Sequence, residues 1–291
     1  MEMVIQLIIG ALMIGSVYGL VGLGYGLIYK ASGLMSLAQG DMLMIGAFLG
    51  LTFYKHLQLP FIVALLLTML IMFSLGMVIQ RVLVTTLLKK GAATVYVILC
   101  TISISMVLQN VAMFAWGTNV MQFPPIFKKS VINILGYDLV PENLLALGVA
   151  ITCMIALHFF MTKSKFGTSM RAAAQDPMAA SALGINVPVT RGASWGIACM
   201  LAGGIGVVVG PIFGVYMSMG SMIGQKAFAG AVIGGYGNMY GAIVGGLFFG
   251  FVETFVSAYL TSNYKDFISF AILILVMIIM PTGLFKEQVM E

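Results

Sequence analysis

The chain has 291 residues, of which 61% are hydrophobic and only 8% charged, with a mean hydropathy of +1.09. No soluble domain hides that much apolar surface from water, so the composition specifies a polytopic membrane protein with room for roughly seven to nine spans of about 20 residues. The net charge of +5 is spread over connections rather than clustered, which excludes a nucleic-acid footprint.

Taken in order, the first apolar segment runs from Val4 to Tyr29 and closes at Lys30. MEMVIQL carries no basic residue, so Val4 onward is expected to be a span rather than a removed leader. Met35–Tyr54, Phe61–Ile79 and Ala92–Ala115 follow as three further spans. Trp116–Asn143, with Pro124, Pro125, Gly136 and Pro141, reads as an external loop. Leu144–Met161 is the fifth span, and Ala193–Met219 the sixth. Phe228–Leu260 is too long for one simple span and is interrupted by GGYGNMYG. Phe267–Met280 is last, ended by Pro281 and Gly283. The expected fold is all-α: about eight transmembrane helices in a single domain over 1–291, with a broken or re-entrant glycine-rich segment near 228–260.

Between the fifth and sixth spans lies the longest water-facing stretch, Lys163–Arg191. Asp176 is placed to cap a helix beginning at Pro177, and Gly184 follows about two turns later as a left-handed stop. So short a helix is unstable alone in water and needs a support. That predicts a docking element whose alanines allow close approach while Met178 and Leu183 plug a partner's groove. A connector lying on the membrane surface is the alternative.

With that stretch inside the cell, nine basic residues are cytoplasmic: Lys30, Arg81, Lys89, Lys90, Lys163, Lys165, Arg171, Arg191 and Lys286. Five remain outside: Lys55, Lys128, Lys129, Lys226 and Lys265. The bias favours an external N-terminus and a cytoplasmic C-terminus. It also requires Phe228–Leu260 to enter and leave on one side, as a half-helix, a turn at Gly234–Gly241 and a second helix.

Gly15/Gly19, Gly46/Gly50, Gly206/Gly210, Gly230/Gly234, Gly237/Gly241 and Gly246/Gly250 are each four apart, the spacing of close helix crossings in lipid. SLAQGDMLMIGAFLG from Ser36 is echoed by SMIGQKAFAGAVIGG from Ser221. Weakly similar halves are a common transporter arrangement, with the substrate route between them.

Enzyme motifs do not assemble. Gly192-Ala-Ser194-Trp-Gly196 matches G-x-S-x-G by chance, since both histidines, His56 and His158, precede it. There is no G-x-x-x-x-G-K-[ST], so the chain has no phosphate loop of its own. Cys100, Cys153 and Cys199 sit in apolar runs as small hydrophobes. Intramembrane charge carries more information. Glu253 has no basic residue within reach on its own helix, so it is expected to face a pathway or a subunit interface. Asp41, after Gln39 and Gly40, suits a helix first turn, as an interface cap or a pathway group. Gly235, Tyr236 and Asn238 join the expected pathway through exposed backbone at the break. Ser103, Ser105, Gln109 and Asn110 either line that route or bond between helices.

SLAQGDMLMIGAF, MRAAAQDPMAASALGIN, KAFAGAVIGGYGNMYGAIVGGLFFGFVE and SAYLTSNYKDFISFAILILVMIIMPTGLF, in that order, resemble the LivH-type permease family of branched-chain amino-acid ABC importers. The resemblance implies one of two related permeases in a bacterial-type inner membrane, with two cytoplasmic ATPases and an external substrate-binding protein. It implies no cofactor in this chain, ATP being bound by the partners. It also assigns ATPase coupling to the loop holding Arg171, Ala172, Asp176, Pro177, Ala179, Ala180, Leu183 and Gly184. Ala179, Ala180 and Gly184 match the EAA-x-x-x-G spacing, with Met178 in place of the glutamate. An ATP-independent secondary transporter or channel for small neutral solutes is the competing reading, and it calls for denser buried charge.

Overall fold

The computed structural model describes residues 2–127, 132–134, 137–260, 264–280 and 282–285. Lys128, Lys129, Gly136, Pro281 and Lys286, which entered the reading of loops and charge, lie outside the described residues. Helix dominates: α1 (Glu2–Ser32), α2 (Gln39–Leu51), α3 (Phe61–Ile79), α4 (Thr85–Lys89), α5 (Thr94–Trp116), α6 (Pro141–Lys163), α7 (Lys165–Gln175), α8 (Pro177–Ala182), α9 (Val187–Phe213), α10 (Met219–Gly234), α11 (Met239–Tyr259) and α12 (Lys265–Ile279). A short antiparallel hairpin, β1 (Ile132–Ile134) and β2 (Tyr137–Leu139), pairs Asn133 with Asp138 in the connection expected to be plain loop.

Six helices among the described residues are long and apolar enough to cross a membrane: 5–32, 61–89, 94–116, 141–163, 187–213 and 239–259. α2, α10 and α12 are shorter, at 13, 16 and 15 residues. Local chemistry sets many ends. Pro141 opens α6 at a position that needs no donor, Lys163 sits in its last turn, and Gly117 ends α5 in the left-handed region. α9 starts six residues earlier than apolarity suggested, because Asn186 caps it by accepting from the Val189 amide, and it ends at Gly214. Residues 214–218 then leave the helix, and Val215 forms an isolated bridge with Met121. The predicted sixth span therefore divides, with its tail becoming the approach to α10.

α1 and α9 are mostly enclosed, whereas α3, α5 and α6 present most of their surface outward. Phe114 on α5 and Ile278 on α12 are among the bare apolar side chains, as expected of helices that face lipid. The packing is reciprocal. α1 lies along α11 as α9 lies along α3; α2 packs on α9 as α10 packs on α1; and α1 meets α9 while α2 meets α10. The two echo segments thus belong to α1–α2–α3 and α9–α10–α11, crossed over each other.

Glycine makes those crossings possible. A Cβ on Gly46 would strike the Gly203 backbone, one on Gly206 the Leu43 carbonyl, and one on Gly250 the Gly15 backbone. Lipid gives no hydrophobic drive for helices to associate, so such backbone contact carries the packing. Gly237 departs from the spacing argument: it takes a φ of 93° in the turn between α10 and α11 rather than a place on a helix face.

Candidate functional site

α7, α8 and their connections form the first feature. Ser164 caps α7 by accepting from the Gly167 amide at 2.8 Å. Asp176 closes α7 and opens α8, its Oδ1 accepting from the Met178 and Ala179 amides at 2.8 and 3.0 Å. Gly184 follows at φ 83°. Ala180 is buried against Ala173 and Val187, with Ile185 alongside, so this face rests on the protein itself. Ala180 thus faces inward, and Met178 and Leu183, 85% and 81% exposed, are what the stub presents outward, beside Ala179 and Pro177. Ala172 accepts from the Asp176 amide, and Arg171 is exposed, donating weakly to Thr168 Oγ1.

Two cavities open in the bundle. The first, about 260 Å³, lies between α1, α2, α5 and α10, and its walls include Tyr25, Leu37, Asp41, Ile102, Gln225 and Phe228. Asp41 is buried there. Its Oδ2 accepts from the Ser105 hydroxyl, and its Oδ1 accepts from Gln109 Nε2 at 3.0 Å and Ser221 Oγ at 3.5 Å. Gln109 Nε2 also reaches Ser221 Oγ at 2.8 Å, tying α5 to α10. Gly40 lines the same cavity. Gln39 does not; its Nε2 donates to the Ala198 carbonyl at 2.7 Å, fastening α2 to α9. Ser103 and Asn110 turn back onto their own helix. The second cavity, about 200 Å³, lies between α1, α6, α7 and α11 and includes Lys30, His158, Arg171, Gly237 and Tyr240.

The glycine-rich break is more closed than expected. Gly235 turns at φ 104°, and the Ile233 and Gly234 carbonyls accept from the Leu284 and Phe285 amides at 2.8 and 3.1 Å. Asn238 caps α11, accepting from the Tyr240 and Gly241 amides. Tyr236 is buried edge-on to Phe228 and Tyr29. None of Gly235, Tyr236 and Asn238 lines either cavity, although Gly237 reaches the second. The backbone freed at the break is satisfied within the protein.

Glu253, expected on a pathway or a subunit interface, sits in a buried network of charged groups. It lines neither cavity. Its Oε1 pairs with Lys226 Nζ at 2.6 Å and with Lys265 Nζ at 3.4 Å, while Oε2 accepts from the Tyr18 hydroxyl at 2.7 Å. Lys226 further contacts Asp266 at 2.8 Å. The cation is missing from Glu253's own helix because α10 supplies it from 27 positions earlier. Lys226, assigned to an external loop by charge counting, is buried inside α10. Ser194 of the G-x-S-x-G match is buried mid-helix, donating to the Thr190 carbonyl.

Sequence reasoning did not find Lys226, Asp266 and Tyr18 as one network, nor Ser221 as a neighbour of Asp41. The echo sets Ser221 against Ser36 and Lys226 against Asp41 in sequence, and that equivalence does not announce a contact.

A helical bundle with spans long enough for a bilayer, backbones in contact through glycine, and cavities walled by both polar and apolar side chains defines a polytopic membrane protein. The chain matches the family described as branched-chain amino acid transport system / permease component over residues 7–277, and it belongs to that family. It is 30% identical over 300 residues to the high-affinity branched-chain amino acid transport system permease protein LivH of Salmonella typhimurium, covering 99% of this chain and 97% of the relative. BraD of Pseudomonas aeruginosa is 30% identical over 302 residues with the same coverage, and a probable LivH of Methanocaldococcus jannaschii 25% over 298, covering 94% and 90%. Among solved structures, a chain of PsaBC from Streptococcus pneumoniae in complex with Fab shares the fold, at TM-score 0.51 and 13% identity over 94% of this chain and 91% of that one.

Proposed function

We propose that the chain is the membrane permease subunit of an ATP-driven importer of branched-chain amino acids. It pairs with a second, related permease, two cytoplasmic ATPases and an external substrate-binding protein. ATP is bound by the ATPases, and this chain needs no cofactor. The N-terminus faces outside and the C-terminus the cytoplasm of a bacterial-type inner membrane. The observation that carries this reading is the α8 stub: capped by Asp176, stopped by Gly184, seated on the bundle through Ala180, and holding Met178 and Leu183 bare to water.

Two large apolar side chains on a rigid, water-facing stub suit insertion into a partner's groove. Ala173 and Val187 beneath it transmit displacement to α7 and α9. Through the glycine contacts of α9 with α2, that displacement reaches the walls of the Asp41 cavity.

Met178→Asp with Leu183→Asp tests the reading in vesicles holding the whole complex. The expected result is loss of ATPase co-purification and of ATP-driven leucine uptake, with the chain itself inserted and folded. Unchanged uptake would remove the stub from the mechanism. Uptake against a gradient by the chain alone would establish the ATP-independent alternative.

A further inference from the structure

The bundle holds two buried carboxylates in contrasting surroundings. Glu253 is matched by Lys226 at 2.6 Å and Lys265 at 3.4 Å. Asp41, 2% exposed, enters none of the ion pairs among the described residues. Its neighbours are neutral donors, Ser105, Gln109 and Ser221, and it borders a cavity of about 260 Å³. An ionised side chain at such depth is held at a cost of several kcal/mol unless a cation completes it. The hydroxyls of Ser105 and Ser221 now point their protons at the carboxylate, but a hydroxyl rotates freely and can accept instead. Three oxygens would then converge on one cation. Around them the wall is apolar, with Leu37, Ile102 and Phe228, and Phe228 is braced edge-on by Tyr25 at 5.4 Å.

We propose that this cavity is a transient intramembrane site for a neutral amino acid, in which Asp41 receives the ammonium group and Leu37, Ile102 and Phe228 take the aliphatic side chain. The proposal rests on the importer reading for its choice of ligand. A primary ammonium supplies three donors, matching the Asp41 carboxylate and the two hydroxyls. The cavity is smaller than the roughly 300–1,000 Å³ of drug-sized sites, as a single amino acid requires. Because the ammonium replaces a missing partner rather than displacing a lysine, it can also leave without stranding a second buried charge.

The test places a thiol at the rim, Gln225→Cys, in the assembled complex, and follows its modification by a charged methanethiosulfonate, whose sulfur a hydrated thiolate attacks with release of methanesulfinate. Leucine and 3-methylbutylamine are each expected to slow modification about tenfold when present at about ten times their Kd. 4-Methylpentanoate, which lacks the ammonium, should give no protection, and Asp41→Asn should abolish that of leucine. Equal protection by 4-methylpentanoate, protection by sodium ions in the absence of amine, or full leucine protection in Asp41→Asn each overturns the assignment. Where the variant fails to assemble, the ligand comparison in Gln225→Cys alone decides. ATP-driven leucine uptake without leucine protection overturns the site and leaves the importer reading standing. Protection by 3-methylbutylamine in a complex that imports no leucine does the reverse.

Discussion

Replacing Lys226 with methionine isolates the buried ion pair. Lys226 and Glu253 are 3% and 4% exposed and 2.6 Å apart, so neither is relieved by water when the other is removed. Breaking such a pair from one side costs about 3–5 kcal/mol, because the remaining charge stays buried without compensation. Two contacts soften the loss here: Lys265 already stands 3.4 Å from the same oxygen, and Tyr18 donates to the other at 2.7 Å. Asp266 adds little, since its side chain is 47% exposed and can turn to water. The expected loss is therefore near the lower end, about 3 kcal/mol, or roughly 6–12 °C in apparent melting temperature at 2–4 °C per kcal/mol. Replacing both members, Lys226→Met with Glu253→Met, should recover most of it, since apolar substitution of a whole buried pair is often neutral. The double-mutant cycle should then return a coupling of about 2 kcal/mol or more. The assay is the folded fraction left after heating the detergent-purified chain, read by size exclusion. A single variant melting within about 2 °C of wild type, or a double variant losing the sum of both singles, would refute the electrostatic account.

Two further outcomes follow from packing and capping. Gly46→Leu forces a side chain into the Gly203 backbone and should cut the yield of monodisperse protein sharply, an overpacking cost of at least about 1–3 kcal/mol. Gly10→Leu, with nothing within 4 Å of the added carbon, should leave the yield unchanged; equal yields from the two would remove the close crossing from the account of stability. Asp176→Ala should cost about 1 kcal/mol through two lost cap bonds, and Gly184→Val about 1–2 kcal/mol through its left-handed backbone. Both should speed hydrogen exchange in Pro177–Ala182 with the spans unaffected, and unaltered exchange there would count against the capped stub.

Elements governed by neighbours in sequence were readable from the chain. α3 spans Phe61–Ile79, the same residues that apolarity selects between Pro60 and Gln80. The ends of α8 were legible because a cap and a left-handed stop are local chemistry. What needed distant partners was not. Span counting takes a lysine as the mark of a connection, and that rule fails for Lys226 because its compensation comes from α11 and α12. The alanine face of α8 likewise looked free, since nothing in the sequence announces that Ala173 and Val187 lie beneath it.

The internal echo explains why the cavity lies where it does. Asp41 follows Ser36 by five positions, and Lys226 follows Ser221 by five, so the two halves carry opposite charges at matching places on α2 and α10. An equal bundle would either pair these charges with each other or bury both against the outer helices. The second half takes the latter course, with Glu253 on α11 and Asp266 on α12 closing around Lys226. In the first half α5 packs on α2 as α12 packs on α10, but it offers only the neutral Ser105 and Gln109. The asymmetry leaves one charge spent on holding helices together and the other facing open volume. A stability defect from the Lys226 side and a ligand-protection defect from the Asp41 side are thus separable consequences of one duplicated position.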